Sequence, residues 1–270
     1  GPRAIPIHAG NYEGFLLSPD GSGIQFAYEW PGKSPAIFLV NERRLTEGSS
    51  NLWAGVKASL TWKAPITDGL GVSDWRHSLF PKLKGNPLPL KDDPAESLAI
   101  KPDSSGFLLG TSLTIRLFDP TGKESWRVRT PGAAYSVNTN GRLAVAALGD
   151  GTIRWYRVSD GKEVLAFFPH PDRKRWVLWT PSGYYDASPG GEDFIGWHVN
   201  NGRDQAADFF PASRFRSTYY RPDVIDGVLA TMDEAVALQQ ANEAAGRKQA
   251  ATVSVREKLP PVAAILSPAD

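Results

Sequence analysis

The sequence contains no cysteine. Disulfides, thiolate metal sites and a cysteine nucleophile are therefore excluded within this chain, and a reducing, cytoplasmic setting is the expectation. It also lacks any apolar run near the roughly 20 residues that span a bilayer, and its N-terminus has none of the regions of a signal peptide. Strong charge of either sign is missing too: 30 Lys and Arg stand against 29 Asp and Glu. That balance argues against nucleic acid as the main partner, although Arg173, Lys174 and Arg175 cluster locally, as do Arg214, Arg216 and Arg221. Methionine occurs once.

Turn formers and aromatics are abundant instead. With 26 glycines, 22 prolines and nine tryptophans in 270 residues, short strands and tight connections are favoured over long helices. Gly1-Pro2 reads as a remnant of tag removal, so the natural chain is expected to begin earlier.

A turn motif recurs at Ser18-Pro19-Asp20-Gly21 and Lys101-Pro102-Asp103-Ser104-Ser105-Gly106. Weaker echoes follow at Asn138-Thr139-Asn140-Gly141 and Thr180-Pro181-Ser182-Gly183. The gaps approximate multiples of about 40 residues, the length of a propeller blade. Each echo precedes a strand-like run. Leu143 to Leu148 and Thr152 to Val158 flank Gly149-Asp150-Gly151, for which a type I′ hairpin turn is expected. Val164 to Phe168, Phe107 to Gly110, Leu113 to Phe118, Ile24 to Tyr28 and Ala36 to Val40 read as further strands. Leu45 to Leu90 is degenerate and suits an irregular blade or a long decorated loop. The expected fold is all-β, a WD40-like β-propeller of four to five blades over 1–221, within this chain or as part of a larger ring.

Beyond Arg221-Pro222-Asp223 the composition turns alanine-rich. Thr231-Met232-Asp233-Glu234 has capping-box spacing and predicts a helix running from Thr231 to about Gly246, within a C-terminal helical segment 222–248. Met232, Ala235, Val236 and Leu238 give it an uneven apolar stripe for packing on the propeller flank. Residues 249–270 read as a linker and the start of a following domain, with Arg247 to Lys258 accessible to proteolysis.

Trp179-Thr180-Pro181-Ser182-Gly183-Tyr184-Tyr185-Asp186-Ala187-Ser188-Pro189-Gly190-Gly191, then Ile195-Gly196-Trp197-His198-Val199-Asn200, then Tyr220-Arg221-Pro222-Asp223-Val224, resemble bacterial WD40-repeat proteins whose propeller precedes a caspase-like peptidase domain. The resemblance is specific from about Thr152 to Asn242. It implies a non-catalytic interaction and regulatory scaffold, with chemistry in a domain or partner elsewhere. The blades carry no clear Trp-Asp dipeptide; Asp119 and Asp160 approximate it.

Candidate chemistry is sparse. His198 has no second histidine or acid at ligand spacing, and His8, His77 and His170 are scattered. Thr121-Gly122-Lys123-Glu124-Ser125 lacks the leading glycine and the Lys-Ser/Thr adjacency of a phosphate loop. Ser182 lacks a nucleophile elbow. No catalytic residue, metal ligand or cofactor is assigned. The aromatics from Trp176 to Tyr220 suit either blade interfaces or an exposed hot spot. Arg214-Phe215-Arg216 and Tyr219-Tyr220-Arg221 suit either a strap along the propeller or a grip on single-stranded nucleic acid. The interaction surface is expected at Arg154, Trp155 and Arg157, with Arg214, Arg216 and Arg221. Partners would be proteins: a caspase-like peptidase, or N-terminal blades supplied by another chain. Two other readings stay open, an inhibitor or substrate of a separate peptidase and a propeller enzyme with a central-channel site.

Overall fold

The computed structural model describes residues 15–29, 32–48, 53–199 and 208–247. Expectations for Gly1-Pro2, His8 and 249–270, and for the linker beyond Arg247, fall outside these residues.

The first sheet is an antiparallel meander of β1 (Leu16–Leu17), β2 (Gly23–Glu29), β3 (Lys33–Leu39) and β4 (Arg44–Glu47). An irregular unit follows, with helix α1 (Trp53–Ser59) and a small sheet of β5 (Val72–Ser73), β6 (Lys82–Leu83) and β7 (Asn86–Pro87). The second sheet repeats the meander with β8 (Ala95–Ile100), β9 (Phe107–Thr111), β10 (Thr114–Phe118) and β11 (Glu124–Arg129). The third has six strands in sequence order: β12 (Ala134–Thr139), β13 (Leu143–Leu148), β14 (Ile153–Arg157), β15 (Glu163–Pro169), β16 (Trp176–Trp179) and β17 (Tyr185–Ala187). A ribbon of β18 (Gly196–Val199) and β19 (Asp208–Pro211) precedes the one-turn helix α2 (Arg216–Tyr219), then α3 (Pro222–Thr231) and α4 (Glu234–Ala244).

These units form a propeller-like cycle. Phe26 and Phe38 of the first sheet share one core with Val145, Trp155 and Phe167 of the third. The opposite face of the third sheet, through Ala144, Ala146 and Tyr156, packs on Ala99, Leu108 and Ile115 of the second. The other face of the second sheet packs on Trp75, Leu83 and Leu88 of the irregular unit. That unit returns to the first sheet where Val56 of α1 meets Ile37 and Leu39. Near the centre, Leu17 and Lys63 exchange backbone hydrogen bonds of 3.0 Å, and the Ile100 amide donates to the Ile66 carbonyl at 2.7 Å. The Asn138 amide joins both ends of the cycle, donating to the carbonyls of Phe15 at 3.2 Å and Lys63 at 2.9 Å. Only glycine fits at Gly110, because a Cβ there would lie 2.6 Å from the Ala134 carbonyl of the neighbouring sheet.

Five expectations are corrected. The turn echo at Thr180 to Gly183 does not open a new blade, because it joins β16 to β17 and both strands extend the third sheet. The Gly149-Asp150-Gly151 turn is not type I′: among its residues only Gly151 has positive φ, at 87°. The Gly151 amide donates to Leu148 and the Leu148 amide to Thr152, the bonding of a type I turn closed by a glycine bulge. The same bonding recurs at Asp119–Gly122–Lys123 and Thr180–Gly183–Tyr184. The single C-terminal helix is two, split where Met232 turns left-handed at φ 53°. Asp233 rather than Thr231 caps α4, accepting from the amides of Ala235 and Val236. The face it buries is Ala237 and Ala241, with Leu238 and Met232 packed beside them, while Val236 stays exposed.

Candidate interaction cleft

The third sheet is wider than its neighbours, and its two extra strands run past the second sheet. One cross-strand row on that face reads Ala146, Arg154, Ala166, Trp179, Tyr185. Its inner end packs on the second sheet through Ala146. Its outer end lies under the β18–β19 ribbon and α2, where Val177, Tyr185, Ala212, Phe215 and Tyr219 form a separate core. Between the two coverings the sheet is open, and a cleft of about 930 Å³ remains. The Asp150 turn and Arg154 form one side, Phe168, Trp179 and Pro181 the floor, and Phe194, Trp197 and Phe209 the far wall.

Arg154 is held rigidly. Its Nη1 donates to both Glu163 oxygens, at 3.1 and 3.0 Å, and its Nε donates to Thr152 Oγ1 at 3.0 Å. Its Nη2 lies 3.5 Å from Asp150. Ala166 between them is small enough for the guanidinium to reach the Trp179 ring, 5.8 Å from its centroid. Burial opposes the Arg154 charge, but Glu163 outweighs it and the guanidinium stays protonated above its ordinary range. For Glu163 burial dominates and raises the carboxyl, against the pull of Arg154. On the far wall, Phe194 stacks on His170 with centroids 4.3 Å apart, and the Arg175 guanidinium lies 4.7 Å from the same ring.

The six residues expected to form one surface are not brought together. Arg154 lines the cleft. Trp155, one residue on, points to the other face and is fully buried, its Nε1 donating to the Gly21 carbonyl at 2.7 Å; it is core, because side chains alternate along a strand. Arg157 closes on Asp160 and donates to the Met232 carbonyl at 3.2 Å, tying the sheet to the α3–α4 turn. Its neighbourhood forms a second, smaller cleft of about 550 Å³ that shares Pro181 and Ser182 with the first. Arg214 is exposed. Arg216 is exposed as well, pairs with Glu192 at 2.5 Å and lies 4.1 Å from the Tyr220 ring. Arg221 is a clamp, bonded to both Asp223 oxygens at 2.8 and 2.9 Å and to Asn242 at 2.9 Å.

The aromatic-rich stretch from Trp176 to Tyr220 divides into core and cleft. Trp176, Tyr185, Phe215 and Tyr219 are buried, whereas Trp179, Phe194, Trp197 and Phe209 line the cleft, Phe209 being 54 % exposed. Asp193, also on the rim, carried no signal. Among the described residues no group of three or more His, Cys, Asp or Glu side chains is placed to hold a metal ion. No helix among them is long and apolar enough to cross a membrane.

The chain matches no protein-family model and no functionally characterised protein sequence. Among solved structures it is partly similar to two propeller-like proteins, BamB from Moraxella catarrhalis and U3-55K. The BamB alignment has 18 % identity and a TM-score of 0.33, covering 46 % of this chain and 42 % of that one. For U3-55K the values are 12 %, 0.28, 64 % and 50 %. The computationally designed Ika8 protein aligns at 10 % identity and a TM-score of 0.32, over 59 % of this chain and 55 % of its own. The chain thus spans about half the length of these three relatives, and its fold rests on the sheet cycle described above rather than on these superpositions.

Proposed function

We propose that this chain is a protein-interaction module without catalytic machinery of its own, acting as a cytoplasmic scaffold in a caspase-like protease system. The observation that carries the reading is the cleft. Rigid sheets hold aromatic side chains at an open site, where they offer contact area at small entropic cost, as in binding hot spots. The tie to a caspase-like peptidase rests on the sequence resemblance from about Thr152 to Asn242.

The test mixes the purified chain with a separately produced caspase-like peptidase domain and measures binding by calorimetry. Binding is expected, and Phe209→Ala, at a half-exposed wall position, should weaken it about 10-fold by removing one hot-spot side chain. No binding would remove the peptidase from the reading. Cleavage of peptide substrates by this chain alone would remove the non-catalytic part.

A further inference from the structure

Resting on the interaction reading, we infer that the cleft receives a cationic side chain, arginine or lysine, carried on an extended segment of a partner protein. Two sets of observations support this, one of charge and one of ring chemistry.

The carboxylates on the cleft lining are Asp150 and Asp193. Asp193 is exposed and has no hydrogen bond or ion pair among the described residues. The lining guanidinium, Arg154, is already committed to Glu163 and Thr152, with Asp150 close by. An acidic partner group approaching Arg154 would therefore meet the carboxylates of Glu163 and Asp150 around it, and would have to displace them. A cation approaching Asp193 breaks no hydrogen bond or ion pair among the described residues.

The rings of this cleft are suited to the same ligand. The face of an aromatic ring is the negative part of its quadrupole and attracts ammonium and guanidinium groups within about 6 Å. Two lining rings already hold protein cations in this way, Arg154 over Trp179 at 5.8 Å and Arg175 over Phe194 at 4.7 Å. Trp197, packed from behind on Phe215 and Tyr219, and Phe209 line the same wall as Asp193 and set aromatic carbon beside a carboxylate. The cleft, about 930 Å³, has room for one long side chain and part of the segment that carries it.

The experiment selects a random heptapeptide library on the immobilised chain and titrates one selected synthetic peptide by calorimetry. Selected sequences are expected to share an Arg or Lys. Replacing that residue by norleucine should weaken binding about 10-fold, the loss of one desolvated cation–π contact and its ion pair. Asp193→Asn, a change at an exposed position, should weaken the cationic peptide about 3- to 10-fold and leave the norleucine peptide unaffected. Selected peptides that are acidic or wholly apolar, with affinities indifferent to Asp193→Asn, would overturn the cation assignment while the interaction reading stands. Failure to select any peptide that binds at millimolar concentration would overturn both.

Discussion

Arg154 and Trp155 are adjacent in sequence and face opposite ways, and that alternation decides what each can do. The tryptophan fills the interface between the first and third sheets and satisfies a turn carbonyl, while the arginine forms one side of the cleft. A comparable arrangement lies in the second sheet, where Arg116 is 3 % exposed and Asp93 is 7 % exposed, 2.8 Å apart. Burial alone would raise the Asp93 carboxyl; hydrogen bonds from Thr111, Thr114, Arg116 and the Leu113 amide outweigh it and hold the carboxyl below its ordinary value. A carboxyl depressed in the folded state adds stability above its unfolded value of about 3.9, and that contribution is lost as pH falls through the folded value. Asp93→Asn removes the closer of the two carboxylates paired with Arg116, leaving Glu124 at 3.3 Å, and should cost up to about 3 kcal/mol at pH 7, as measured by denaturant unfolding. Below pH 4 the difference between variant and parent should shrink; a constant difference down to pH 2 would show that Asp93 is not the titrating group.

Among the elements, strands were more legible than helix ends. Apolar runs bounded by turn residues located β2, β3, β9, β10, β13, β14 and β15, because a buried strand needs both its side-chain pattern and a stop. What the pattern did not determine was membership. β16 precedes a blade-like turn, and it stays with β15 because the Phe167–Leu178 and Pro169–Trp176 pairs extend the apolar face buried against the first sheet. The helix start failed for a local reason. Thr231 and Asp233 both precede acceptable helix starts, but the Thr231 hydroxyl bonds back to the Gly227 carbonyl at 2.9 Å and finishes α3, leaving Asp233 to cap α4. Glu234, expected to complete the box, instead accepts from Thr180 Oγ1 at 2.7 Å. Asp233→Ala should therefore destabilise the protein by about 0.5–2 kcal/mol in denaturant unfolding, with faster amide exchange at the start of α4. Thr231→Ala, if it gave the larger loss of protection in α4, would restore the capping box.

For the whole molecule, the repeat spacing pointed correctly to a propeller-like arrangement. The cleft was only half legible: Arg154 and the aromatic density were visible, but which rings face outward depends on how far β16 and β17 overrun the second sheet, a property of pairing between distant segments. Each sheet face meets a neighbour around the cycle, so the purified chain is expected to be a monomer by light scattering behind size exclusion. A stable dimer would mean that an edge strand, β4 or β11, pairs between chains.

The cycle closes between its first and third sheets, and this has a consequence for synthesis. Phe26, Phe38 and Val40 wait for Leu143, Trp155 and Phe167, which follow roughly 100 residues later. At ribosomal rates of about 5–20 residues per second, the nascent first sheet spends on the order of 10 s with its apolar face uncovered. During that interval it is a ready substrate for a chaperone, and its dependence on one during translation should exceed that of the second sheet, whose partner strands β12 and β13 emerge within a few seconds.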